Sequence, residues 1–143
     1  MKNILLILIF SFICCSINAQ DDVDCKNMTP FKGKFYNEEY QIFVVMSFKD
    51  KDVIVYGQEI LGELDGYFGS TKTGHIWPIT SSEINGNTAT IEAINNYGSE
   101  DFTATISLKD DGTYEFHHIS GSTFKFPVNN KWQKIPAKLI FSQ

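Results

Sequence analysis

From Phe35 onward the chain carries its apolar residues in short runs, and a turn signal cuts off each run before a helix could complete three turns. No window of ten or more residues shows helical spacing with caps, so the polypeptide is restricted to extended segments. Tyr40 to Phe48 (YQIFVVMSF) has the aromatic and β-branched content of a strand. Lys49–Asp52 then reads as a charged turn, with Val53–Tyr56 beginning the partner strand and Gly57, Gly62 and Gly66 breaking the pattern. Asn85-Gly86 predicts a type I′ hairpin into Thr88–Ile94, where Ala89, Ile91 and Ala93 alternate with Thr88, Thr90 and Glu92. Asp111-Gly112 predicts a second hairpin joining Phe102–Leu108 to Thr113–Ile119. Ser120-Gly121 reverses the chain into Thr123–Phe126, Pro127 and Pro136 bracket an irregular stretch, and Lys138–Phe141 closes the pattern. About eight strands with short links predict an all-β fold. The expected architecture is a single small antiparallel meander over 31–143, closed into a barrel or flattened sandwich.

The first residues read as an address. Lys2, the apolar run Ile4–Ile13 and the small Ala19 have the layout of a secretory signal peptide over 1–19. The apolar run is shorter than the roughly 20 residues a bilayer span needs, and no second run of that length follows, so no transmembrane segment is expected. Cleavage after Ala19 leaves 143 minus 19, or 124 residues, for the periplasm or the extracellular medium. A lipid anchor at Cys14 or Cys15 is the rival outcome, but Ile13 and Cys14 do not supply the small preceding residue that a lipobox uses. Residues 20–30 are polar and expected to be disordered. Cys25 alone would remain, which excludes an internal disulfide in the mature chain.

Charge narrows the function classes. There are 17 acidic residues against 12 basic ones, and every basic residue is lysine. Without arginine there is no guanidinium fork for phosphate or guanine, so nucleic acid is not an expected partner. The distribution is uneven: Gln20–Glu115 holds 7 Lys and 17 acids, whereas Phe116–Gln143 holds 4 Lys and no acid. The acidic portion would steer a basic secreted or periplasmic protein toward the chain.

Catalytic signals are weak. His117 and His118 are adjacent on one expected strand and leave opposite faces. Glu115, His117 and His75 could make a metal site, yet nothing in their spacing requires it. Glu38-Glu39, Glu100-Asp101 and Asp110-Asp111 sit at expected strand ends rather than across a cleft. No nucleophile elbow, zinc-protease helix, paired-cysteine motif or phosphate loop occurs. No enzyme, metal or cofactor is expected. The loop Asn95-Asn96-Tyr97-Gly98-Ser99-Glu100-Asp101 is the better candidate for binding, with Asn95, Asn96, Tyr97, Glu100 and Asp101 as its contact residues. The 12 Phe, 6 Tyr and 2 Trp would either fill the barrel or line a ligand cavity.

The stretch Ser120-Gly121-Ser122-Thr123-Phe124 is similar to the Ser-Gly-x-x-Tyr loop of the bacterial periplasmic lysozyme inhibitors, with Phe124 in the tyrosine position. That resemblance implies a flattened eight-strand barrel, insertion of the loop into a lysozyme cleft, and contact roles for Ser120, Gly121, Ser122 and Phe124. The expected function is therefore an exported, non-catalytic binding protein, an inhibitor or immunity-type partner of a cell-wall hydrolase. Gly33-Lys34-Phe35-Tyr36 and the glycine-rich meander are similar to lipocalin- or avidin-like barrels, which imply instead a carrier of small apolar ligands.

Overall fold

A computed structural model describes residues 29–143; the expected leader over 1–19, residues 20–28 of the expected disordered stretch, and all three cysteines lie outside the described residues. The strands are β1 (Lys32–Asn37), β2 (Ile42–Ser47), β3 (Gly66–Ser70), β4 (Ile76–Asn85), β5 (Thr88–Ile94), β6 (Asp101–Leu108), β7 (Tyr114–Gly121), β8 (Lys125–Val128), β9 (Lys131–Lys134) and β10 (Lys138–Phe141). Eight of them form one antiparallel sheet in the order β1-β2-β3-β4-β5-β6-β7-β10. β10 then meets β1 through a single bridge, in which Tyr36 N donates to Ser142 O at 2.6 Å and Ser142 N donates to Tyr36 O at 2.9 Å. Asn37 Nδ2 adds a bond to the Ile140 carbonyl at 2.9 Å. The fold is all-β, and its sheet is nearly closed into a barrel, which covers edges that would otherwise pair with other chains. β8 and β9 stand outside the sheet as a two-stranded ribbon.

Alternation decides what faces the centre. Ala89, Ile91 and Ala93 of β5 are buried while Thr90 and Glu92 are exposed. Phe102, Ala104 and Ile106 of β6 repeat the pattern. The three alanines on these strands leave room that aromatic rings from elsewhere fill. Phe124, in the link from β7 to β8, has its ring centroid 4.9 Å from Phe68, 5.0 Å from Phe102, 5.2 Å from Phe116, 5.3 Å from Phe126 and 5.8 Å from Trp77. Such pairs contribute about 0.5–1.5 kcal/mol each beyond their area burial. The barrel axis is therefore occupied by side chains.

Two local readings are corrected by the structure. Val53–Tyr56 does not pair with β2; the partner is β3, whose sequence Gly-Tyr-Phe-Gly-Ser reads as a breaker. The reason is close packing: a Cβ at Gly66 would overlap the Val45 carbonyl oxygen, and one at Gly69 would overlap the Phe43 ring. The β4–β5 turn is centred on Gly86-Asn87, with Asn85 paired to Thr88, and of its two central residues only Gly86 (φ 63°) has positive φ. That is the type II′ pattern. The type I′ turn lies instead in the stretch between the prolines, where Asn129 and Asn130 have φ of 50° and 63° and join β8 to β9.

Candidate functional site

The two predicted contact segments lie side by side. Phe102 pairs with Gly121 and Thr103 with Ser120, Ser122 N donates to Asp101 O at 2.7 Å, and Lys125 Nζ donates to Glu100 Oε1 at 3.1 Å. An open cleft of about 240 Å³ lies between Thr80, Glu92, Asp101, Thr103, Ser120 and Gly121. A bulge at Ile119 kinks β7 just before this point, because Thr103 faces Ser120 while Ala104 already faces His118.

Individual roles differ from the expected ones. Phe124 is 1% exposed and belongs to the core, so it has no surface to offer a partner. Gly121 (φ 94°) is required for backbone approach, since a Cβ there would stand 2.6 Å from Asp101 O. Asn95 is buried and shapes its own loop. Its Oδ1 accepts from Ser99 N at 2.9 Å and Glu100 N at 3.3 Å, and its Nδ2 donates to Ser99 Oγ at 3.0 Å. Asn96 Oδ1 accepts from Ile76 N at 2.9 Å and ties the loop to β4. Ser122 is half-buried, and its carbonyl lies 2.8 Å from His118 Nε2. Tyr97, Asp101 and Ser120 remain exposed, beside the half-buried Glu100–Lys125 pair.

His75 lies against the same ribbon. Its ring is 5.7 Å from Phe126, 5.6 Å from Trp132 and 6.3 Å from Trp77, and its buried Nε2 has no hydrogen-bond partner. Burial lowers the imidazole pKa from its ordinary 6.5, and the nearby Glu100 carboxylate opposes that shift. The sign follows directly. Below about pH 6.5 the unfolded chain binds a proton that the folded His75 resists, so stability falls as pH drops through that region. Asp50, Glu59 and Asp111, whose pKa values are lowered, weaken the fold only below their ordinary 3.8, 4.5 and 3.8. Urea titrations at pH 7.5 and 5.5 should show the loss in the parent protein and a smaller loss in His75→Phe. Equal losses in both would remove His75 as the source.

The other titratable groups do not converge. Glu115 pairs with Lys109 at 3.5 Å, and His117 on β7 is opposite Lys138 on β10. Among the described residues no three His, Cys, Asp or Glu side chains stand close enough together to hold a metal ion.

The most exposed apolar side chains lie elsewhere, on the connection from Ser47 to Gly66. Its length exceeds the roughly 12–15 residues of ordinary links. Val53 and Leu64 close its base by bonds of 3.0 and 2.7 Å, and Val55 and Leu64 pack with Ile76 and Tyr67 on β4 and β3. Lys51 joins the buried Asp65 at 3.0 Å, and Asp65 also accepts from Ser82 Oγ. The tip is ordered by its own bonds: a 3-10 turn at Glu59–Leu61, Leu61 N to Gln58 O at 3.0 Å, Gly62 N to Glu59 O at 2.9 Å, and Gly57 N to Glu59 Oε1 at 2.9 Å. On this fixed backbone Tyr56 is 96% exposed and Ile60 is 98% exposed, with Ile54 and Leu61 also at the surface.

No family model, curated protein or solved structure matches the chain.

The loop tip is the feature that sequence reasoning missed. Gly57 (φ 80°) and Gly62 (φ 68°) were the available signal, because two breakers five residues apart with large apolar residues between them do not suit a strand.

Proposed function

We propose that the chain is an exported, non-catalytic β-barrel binding protein that docks its 53–64 loop into a basic protein partner, with cell-wall hydrolases such as lysozyme the first class to test. The observation that carries this reading is the near-complete exposure of Tyr56 and Ile60 on a loop whose backbone is already fixed. Large apolar anchors on a pre-ordered loop gain contact area on binding without the entropy loss of ordering the chain. Glu59 and Glu63 flank the tip, and this charge favours a cleft rimmed by lysine or arginine over an anionic membrane. Export is supported by the leader-like residues 1–19. Tyr97, Asp101 and Ser120 are exposed as well, Asp101 and Ser120 lining one cleft. The carrier reading is weaker, because Phe124 and the five rings around it fill the space that a ligand would need.

The test is a cell-wall lysis assay with a panel of basic hydrolases at micromolar excess of the protein. Inhibition is expected, and Ile60→Asp should weaken it by about thirtyfold or more, the effect of losing an anchor worth at least ~2 kcal/mol. The melting temperature of the variant should stay within error, since Ile60 touches solvent. Full activity across the panel would sink the hydrolase assignment, and inhibition unaffected by Ile60→Asp would move the contact to another surface.

A further inference from the structure

The β8–β9 ribbon carries an arrangement that the proposed docking loop does not use. Lys125 is directly opposite Lys134, and Pro127 is directly opposite Trp132. Directly opposed residues share a face, so two ammonium groups and an indole lie together on the outer surface, while Phe126 points into the core. Trp132 is 55% exposed, and the His75 ring meets it edge-on at 5.6 Å. Lys125 Nζ lies over the Trp132 ring, 5.1 Å from its centre, a cation–π contact on one face of the half-exposed indole.

Like charges facing each other across a ladder destabilise it. Glu100 offsets Lys125, but among the described residues neither Lys134 nor Lys131 forms an ion pair. No acid occurs anywhere from Phe116 to Gln143. An anion placed beside Lys134 would relieve the repulsion, and a flat ring with C–H groups on one face would cover the indole.

We propose that this face binds an anionic polysaccharide, with a pyranose ring stacked on Trp132 and its carboxylate or sulfate on Lys134. A bilayer would need several apolar side chains in one plane, and the ribbon presents Trp132 alone. A peptide strand would seek main-chain bonds along an edge, whereas these groups lie on a face. The site uses none of the residues of the 53–64 loop, so its failure and the failure of the docking proposal are separable.

Oligogalacturonate and dextran sulfate are the probes, with neutral dextran, polyglutamate and anionic phosphatidylglycerol vesicles as comparisons. Trp132 is the exposed one of the two tryptophans, so saturable binding should change the intrinsic fluorescence. Trp132→Ala should weaken binding by about tenfold or more in affinity electrophoresis, and Lys134→Gln by a similar factor. Oligogalacturonate binding alone would assign carboxylate, and dextran sulfate alone would assign sulfate. No binding of either glycan at millimolar concentration overturns the proposal. So does equal binding of polyglutamate or vesicles, or glycan affinity unchanged in both Trp132→Ala and Lys134→Gln.

Discussion

Phe68→Ala should lower the free energy of unfolding in urea titration by about 3–5 kcal/mol, a large share of the ~5–15 kcal/mol that holds a domain folded. Phe68 is fully buried on β3, and its ring meets Phe102, Phe116, Phe124 and Phe141 at centroid distances of 6.3, 5.5, 4.9 and 6.1 Å. Truncation removes its own transfer free energy and leaves a cavity among rigid rings. Those rings come from β6, β7, β10 and the β7–β8 link, so the surrounding wall cannot collapse by moving one side chain. Phe68→Leu retains part of the volume and should cost less. A loss below about 1 kcal/mol for the alanine variant would mean that the aromatic centre is far looser than these distances require.

Gly66→Ala comes next in size, at about 1–3 kcal/mol or more, although it adds only one methyl group. The added carbon would overlap the backbone of β2 at Val45, and a main-chain oxygen in a paired strand has no rotamer to adopt. The β2–β3 ladder must therefore separate or shear. Gly74→Ala supplies the contrast: nothing stands within 4 Å of its added carbon and its φ is not positive, so its effect should stay within about 0.5 kcal/mol. Similar midpoints for the two variants would show that β2 and β3 are not tightly registered at Gly66.

The outline of the barrel was legible where chemistry is local. β5, β6 and β7 could be read because Ala89–Ala93, Phe102–Ile106 and Tyr114–Phe116 alternate at period two between turn residues. β3 was illegible because Gly66 and Gly69 are there for what lies above them, the Val45 carbonyl and the Phe43 ring, and a one-dimensional pattern does not contain that packing. The type I′ turn at Asn129-Asn130 was hidden by the prolines around it, one of which, Pro127, sits inside β8. The candidate site divided in the same way. The adjacency of the Asn95–Asp101 and Ser120–Phe124 segments was not visible along the chain, although both had been singled out. Asn95, Asn96, Gly121 and Phe124 carry side-chain types common at binding sites, but the fold uses them for loop shape, backbone approach and core filling. The exposed tip was missed because Tyr56 ends the Val53–Tyr56 run, which reads as a strand, and because nothing along the chain shows that Ile60, between Gly57 and Gly62, has no neighbour to cover it.

The seam between the first and last strands has a consequence for assembly. Asn37 and Ile140, joined across it, are 103 positions apart, and among the described residues the backbone bridge there belongs to Tyr36 and Ser142 alone. Contacts of such long range come late, since the chain must first give up the freedom of everything between them. A half-emerged polypeptide therefore has no way to shut its own cylinder. It must remain an open, curling sheet until its final strand arrives between β7 and β1.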